Sequence, residues 1–462
     1  MLSMNELNTN RSMTTIRGVI GISKADITPD LGIYSRNWGA STKDNSKGIH
    51  MPLELTCMTI QSRKDASPII FLGMDLGWWK SKEDEMNFRG GIAAALGIPV
   101  NQIFGCLSHT HSGPSIWSEN KNKPGGEYIL PYLAQLKQVA ITAIKQSLVT
   151  AEDAVIDWMY GDCSLARNRD LYYQKEARYV VGYNPEMDAD KTILVGRLSN
   201  LKGQLKSLII NYACHPTTLA WENELLSPDF IGPMRKLIEE ELKVPCLFLQ
   251  GASGDLSPIE QYTGDLQIVE RHGKQLGYAA LAVLMNMPQS SHKLYFEGVK
   301  ESGAPLGIWK ARESINLNHV HSKVFQVLLP IKVYPSVQEL ELKIQASSDR
   351  NEIEKLNRLK GSSAMYYQQS HIEISVWICV IGEFIFIGQS FEAYSKYQEE
   401  LRKSFPNYKI AVVNFVNGPG GYIANEEYYD EQIYSVINSP FLKGSLEHLI
   451  ETTKKELQNF LI

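Results

Sequence analysis

The chain has 462 residues, 44% of them hydrophobic and 21% charged, with a formal net charge of −5. That composition belongs to a folded globular protein with material for a large core, and it excludes a disordered or fibrous chain; mild net acidity also argues against a nucleic-acid partner, which needs a basic face. No apolar run reaches the ~20 residues that a membrane-spanning helix requires, so no transmembrane segment is expected. Residues 1–17 are polar, without the basic start and apolar stretch of a secretory leader, and read as a frayed segment. The six cysteines form no C-x-x-C pair and sit mostly in apolar runs. They read as reduced thiols acting as small hydrophobes, and a cytoplasmic protein is the expectation. No Pro/Gly/Ser-rich linker interrupts residues 18–462, which read as one large domain.

In chain order, residues 18–23 are strand-like and run into the turn Asp26-Ile-Thr-Pro-Asp30. Residues 55–61 and 69–74 look like a strand pair, and 83–96 reads as a helix stopped by Gly97 with Pro99 beyond. The apolar run 102–107 reads as a buried strand, and 128–148 has the apolar spacing of a long helix. Strand signals follow at 154–160, 192–198, 205–212 and 246–249, with a helix at 228–242 among them. The second half continues with helices at 266–285, 338–359, 391–404 and 442–457 and strand-rich stretches at 324–333, 372–387 and 409–416. This interleaving predicts an α/β protein with a mixed β-sheet core and flanking helices.

Two of these strands end in histidines. The run 102–107 leads into Ser108-His109-Thr110-His111-Ser112-Gly113-Pro114, and alternation along a continuing strand would aim both imidazoles at one side. The strand 205–212 ends at Cys214-His215-Pro216, where the proline stops the ladder. Neutral imidazole is the commonest metal ligand, and ligand sites of α/β folds gather at strand ends. Two His-bearing strand ends therefore read as parts of one metal site, where the H-x-H pair alone fits two hydrogen-bonded loop histidines equally well. Cys106 and Cys214 lie beside these histidines, as core thiols or soft ligands.

Three further segments stand out. Gly251-Ala-Ser-Gly254 and Asp255-Leu-Ser257-Pro258 follow a buried strand and read as a glycine-permitted turn presenting Asp255 and Ser257. Read locally, Ser257-Pro258 opens a helix; the serine lacks the flanking glycines of a nucleophile elbow. Glu383 ends an apolar run, where a carboxylate needs a partner or a cation unless it sits in a surface turn. Gly418-Pro-Gly-Gly-Tyr422 is a glycine-dense loop leading into a Tyr/Glu-rich stretch. Trp78, Trp79 and Trp117 flank the histidines in sequence, either as pocket lining or as core.

Taken in order, these segments resemble the neutral/alkaline ceramidases, a family of zinc amidases, over most of the chain. The matching elements are His109-Thr110-His111-Ser112-Gly113-Pro114 against H-T-H-S-G-P and Gly254-Asp255-Leu256-Ser257-Pro258 against G-D-x-S-P. Asn168-Arg169 matches N-R, and Gly421-Tyr422 with Glu426-Glu427-Tyr428 matches G-Y and E-E-Y. The resemblance implies one zinc ion held by His109, His215, Glu383 and Tyr422, with His111 beside it handling protons or contacting substrate. It implies that Ser257 stands where the family has its essential serine, supported by Asp255, and that Arg169 and Tyr434 contact the reacting group. Ile259 and Ser435 stand where the family has asparagine and glutamate, and the expected protein is a catalytic domain without the family's C-terminal immunoglobulin-like domain.

The function expected from these readings is zinc-dependent hydrolysis of an amide bond in a small or lipid-like N-acyl substrate by activated water. The same Zn²⁺ would also serve lyase or isomerase chemistry, and a binding protein on the same scaffold is the non-enzymatic alternative.

Overall fold

The computed structural model describes residues 13–314 and 320–461. Of the segment expected to fray, residues 1–12 lie outside the described residues, whereas Thr14 to Arg17 already belong to the strand Thr14–Asp26. That strand is central. It pairs antiparallel with Glu54–Gln61 on one side and Glu152–Asp162 on the other, and Ile16 and Ile20 point into the core.

The protein is mixed α/β. Its largest sheet has eight strands in the order 246–250, 205–212, 192–200, 152–162, 14–26, 54–61, 69–74 and 103–107. The interior pairs are antiparallel, while each edge ends in a parallel pair. A parallel pair needs a crossover, and the helices Lys82–Leu96 and Ile231–Leu242 supply the two crossovers. Left-handed Gly97 stops the first of these helices, as its sequence predicts.

The sheet coils until its two edges meet. A Cβ on Gly73 would lie 2.5 Å from Leu247 Cδ1 and 3.0 Å from the Phe248 carbonyl, so the opposite edge strand crosses close over the 69–74 strand there. A second sheet, of the strands Val320–Pro330, His371–Ile381, Phe384–Gln389 and Lys409–Val413, packs on the first. Phe71, Phe104 and Phe386 pack ring to ring in the shared core. The chain after Lys409–Val413 wedges between the two edges: Asn414 N–H donates to Gln250 O at 3.0 Å, and Asn417 N–H to Gly105 O at 3.2 Å. The strand ends carrying His109 and His215 thus arrive at one place.

Three element readings are corrected. The stretch 338–359 falls in two helices, Val337–Ala346 and Arg350–Tyr366, because the Asp349 side chain caps a new helix by accepting from Asn351 N–H. In 391–404 only Lys396–Ser404 is helical; Glu392–Ala393 instead forms a short parallel ladder with Tyr422–Ile423. Residues 256–258 form a strand against Ala166–Asn168, and no helix opens at Ser257-Pro258. The exposed hairpin His292–Glu301 and Pro305–Glu313 has no counterpart in the sequence reading. Among the described residues no helix is long and apolar enough to cross a membrane.

Candidate metal centre

The strand Ile103–Leu107 ends before the histidines do. His109 has φ 66°, a left-handed conformation unusual for a non-glycine residue, held by its N–H bond to Leu76 O at 2.9 Å. His109 and His111 therefore converge from a turn, not from one strand face, with ring centroids 4.7 Å apart and planes at 81°. The His109 ring lies flat on Phe415, 3.8 Å between centroids, and its Nδ1 faces Gly77 O at 3.4 Å.

His215 is fixed by main chain. Its N–H donates to Leu256 O at 2.9 Å, and its Nδ1 lies 2.6 Å from Ser253 O and 3.2 Å from Leu256 O. Carbonyls can only accept, so Nδ1 carries the hydrogen and Nε2 presents a bare lone pair. That lone pair faces a carboxylate: Glu392 Oε2 lies 3.1 Å from His215 Nε2 and 3.7 Å from His109 Nε2. His111 Nε2 is 3.2 Å from His109 Nε2. The three imidazoles offer ligand atoms within 4.8 Å of one another.

Burial, joined by nearby positive charge, holds all three imidazoles well below their ordinary pKa, despite the Glu392 carboxylate beside His109. They are neutral at physiological pH. Bare nitrogen lone pairs and a carboxylate crowd together with little to donate between them, an arrangement that a divalent cation satisfies. The donor set of nitrogen and oxygen atoms suits zinc. Tyr422 lies beside these groups, its ring centre 6.5 Å from that of His215. Its Cα pairs with that of Glu392 across the two-residue ladder, and its hydroxyl accepts from Arg169 Nη2 at 3.1 Å. Arg169 is anchored in turn on Gly254 O through Nε and Nη2, at 3.2 and 2.8 Å.

Of the residues singled out in the sequence, His109, His111, His215, Tyr422 and Arg169 come together here. Glu383 does not. It sits in the turn before the strand Phe384–Gln389, its side chain 48% exposed, paired with Lys293 at 3.1 Å and accepting from Thr14 Oγ1. The carboxylate at the cluster is Glu392, just past the other end of that strand. Applying the strand-end rule to Phe384–Gln389 would have found it, had 391–404 not read as a helix.

Asp255 does not support Ser257 directly. Its carboxylate accepts the Ser395 N–H and hydroxyl, both at 2.7 Å, and so pins the chain three residues beyond Glu392. Gly254 permits the same approach: a Cβ there would meet Glu392 O at 2.7 Å and Tyr394 Cδ1 at 2.7 Å. The glycine serves close backbone contact, not a left-handed turn. Ser257 Oγ is buried without a hydrogen-bond partner among the described residues. Tyr434 stands further out, its ring 5.8 Å from Tyr422 and its hydroxyl bonded to Arg358 Nη1 at 2.7 Å. Cys106 and Cys214 remain core thiols, kept protonated by burial. Trp78 packs on His109 and His111, whereas Trp79 is a core residue against Phe88. A narrow cleft of about 20 Å³, lined by Arg36, Trp38, His111 and Trp221, opens beside the cluster.

Fold and cluster together define a mixed α/β protein with a candidate metal centre where two sheet edges meet. No protein-family model matches the chain. Among solved structures it is similar in fold to a ceramidase complexed with C2, at 14% identity and TM-score 0.66, over 96% of this chain and 74% of that one. It is similarly like the neutral ceramidase from Pseudomonas aeruginosa, at 15% identity and TM-score 0.67, over 97% of this chain and 75% of that one.

Proposed function

We propose that the protein is a zinc-dependent hydrolase that cleaves the amide bond of a small or lipid-like N-acyl substrate. The observation that carries this reading is the approach of His109, His111 and His215, whose ligand atoms lie within 4.8 Å of one another, with the bare Nε2 of His215 facing Glu392 Oε2 at 3.1 Å and Tyr422 alongside. The fold shared with ceramidases supports amide substrates. In this reading His109, His215, Glu392 and Tyr422 hold the ion, with Glu392 in the role that sequence resemblance gave to Glu383. The chemistry supplied by bound zinc is Lewis acidity, which polarises a carbonyl and makes water acidic enough to yield hydroxide near pH 7.

The protein's own groups do the rest. The water oxygen adds to the amide carbon, the C–N bond breaks, and the departing nitrogen takes a proton, leaving a carboxylate and an amine. His111 is the proton carrier. Its Nδ1 is buried without a partner among the described residues, and its ring lines the cleft. Arg169 holds the Tyr422 hydroxyl in place and brings positive charge to the carbonyl oxygen as it becomes anionic. The partnerless Ser257 hydroxyl is free to bond substrate or to attack it. Asp255 and Gly254 position Glu392 without touching substrate.

Elemental analysis and amine release from a panel of N-acyl compounds test the reading. One zinc per chain and metal-dependent amine release are expected. Stoichiometric zinc and full turnover in His109→Ala would sink the assignment. An acyl adduct trapped on Ser257 would make the serine a nucleophile; single-turnover reaction without one would make it a positioning group.

A further inference from the structure

The mouth above the cluster is built unlike a groove for a neutral lipid. Lys80 Nζ lies between two indoles, 5.5 Å from the Trp78 ring centre and 5.4 Å from that of Trp117. Trp78 itself packs on His109 and His111, at 5.1 and 5.0 Å between centroids. Lys80 is partly buried, and among the described residues no carboxylate lies within ion-pair distance of it. Burial pulls its ammonium down to about 8. A desolvated cation without a counter-ion is costly, and here it stands one ring away from the proposed reaction centre.

A second cation comes from another element. Arg358, on the helix Arg350–Tyr366, bonds Tyr434 through Nη1 and Glu354 through Nε, the latter at 3.2 Å. Lys80 also feels Glu354, while Glu224 in the cleft beside His111 is matched by Lys43 and Lys47. Glu392 is taken up by the histidines. The positive charges of Arg169, Arg358 and Lys80 all bear on His111. An indole donor adds to this: Trp38 Nε1 is buried and unpartnered among the described residues, and the Trp38 ring is 4.9 Å from that of His111. A mouth rich in donors and cations is complementary to a ligand that brings acceptors and negative charge.

We propose that the site selects N-acyl compounds carrying an oxyanion, a carboxylate or a phosphate, which Lys80 and Arg358 bind at the mouth. This inference rests on the amidase reading for its reaction, and on Lys80, Arg358 and the unpartnered Trp38 N–H for its substrate class. The products are then an amine and an acid of which one bears the additional anionic group. A site that bonds a charged group discriminates strongly against analogues lacking it, because Lys80, unlike Arg358 with its Glu354 pair, is then left without a close counter-ion.

The test uses the zinc-loaded full chain and three substrates with one acyl group: an N-acylglycine, an N-acylphosphoethanolamine and a neutral N-acylethanolamine. At least one anionic substrate should exceed the neutral one in kcat/KM by about tenfold or more, and the better of the two identifies the anion. Lys80→Met, which keeps the stem between the indoles, should narrow that ratio toward one through KM; Arg358→Gln should do the same more weakly. Binding is read separately. Trp78 and Trp117 should report N-acetylglycine by a saturable change in tryptophan emission, with an affinity about tenfold weaker in folded Lys80→Met. Equal cleavage of neutral and anionic amides, with an unchanged ratio in Lys80→Met, overturns the inference and leaves the amidase standing. An emission change that is the same for N-acetylethanolamine also overturns it. Saturable anion binding without cleavage of any amide overturns the amidase and leaves the anion site standing.

Discussion

The floor and the mouth of the site are held in different ways. On the floor, His215 is fixed by two carbonyls and its own N–H, Glu392 by a backbone ladder to Tyr422, and His109 by a left-handed turn and the Phe415 ring. Its geometry is set by main chain that threads between two sheet edges. At the mouth, Trp38, Trp221 and Tyr262 touch mainly one another, and Arg358 rides on a helix pair whose buried side chains are Leu340 and Ser363. A floor built from backbone is rigid and intolerant; a mouth built from side chains can change specificity without disturbing the chemistry. Precise sites sit on rigid elements for this reason.

The contrast can be broken most directly at the floor. His215→Ala should lose stoichiometric zinc and reduce activity by more than the roughly 10- to 100-fold that outer-shell changes cost, as read by elemental analysis and amine release. Glu392→Gln should weaken zinc by about tenfold or more in a chelator competition.

Acid sharpens the comparison through stability. His272, buried and bonded to Thr218, is lowered to about 4 by burial and by the Arg271 charge, and the three site imidazoles are also depressed. The unfolded chain then binds protons that the folded chain refuses between about pH 6.5 and pH 4. Stability should therefore fall as pH drops through that window, by up to about 3 kcal/mol for His272 alone. Urea midpoints of the metal-free protein at stepped pH check this, and His272→Gln should flatten part of the slope. A midpoint independent of pH over that range would contradict it.

Gly254→Ala should cost about 1–3 kcal/mol by overpacking and weaken zinc as well, because the new Cβ displaces Glu392 O. Normal zinc affinity in this variant would mean that the Glu392 segment is not held by that contact. The smallest effect belongs to Glu383→Gln, which should leave zinc and turnover intact and shift stability by no more than about 0.5 kcal/mol. Loss of zinc there, with Glu392→Gln unaffected, would reverse the assignment of the carboxylate.

Most strands and helices were legible in the sequence, because alternation, helical spacing and turn residues are local signals. Strand 69–74 and the stop at Gly97 match their predictions, and 54–61 matches to within a residue. The His109 and His215 turns were legible for the same reason: an apolar run followed by histidine and proline marks a strand end. Glu392 was not. Its neighbourhood has helical composition, yet the backbone around it bonds to partners far away: Glu392 N–H to Gly421 O at 2.8 Å and Gly254 N–H to Ala393 O at 3.0 Å. Tyr422 came from family resemblance alone, since nothing local marks it as a ligand.

By itself, then, the sequence determined the class of fold and the two imidazole-bearing turns, which depend on residues within a few positions of one another. Only the tertiary structure decided that those turns meet, that Glu392 and not Glu383 joins them, and that Lys80 and Arg358 stand over the result. Each of these depends on the coiling of a sheet and on contacts between segments from about thirty to more than a hundred residues apart, where no periodicity in the chain carries information.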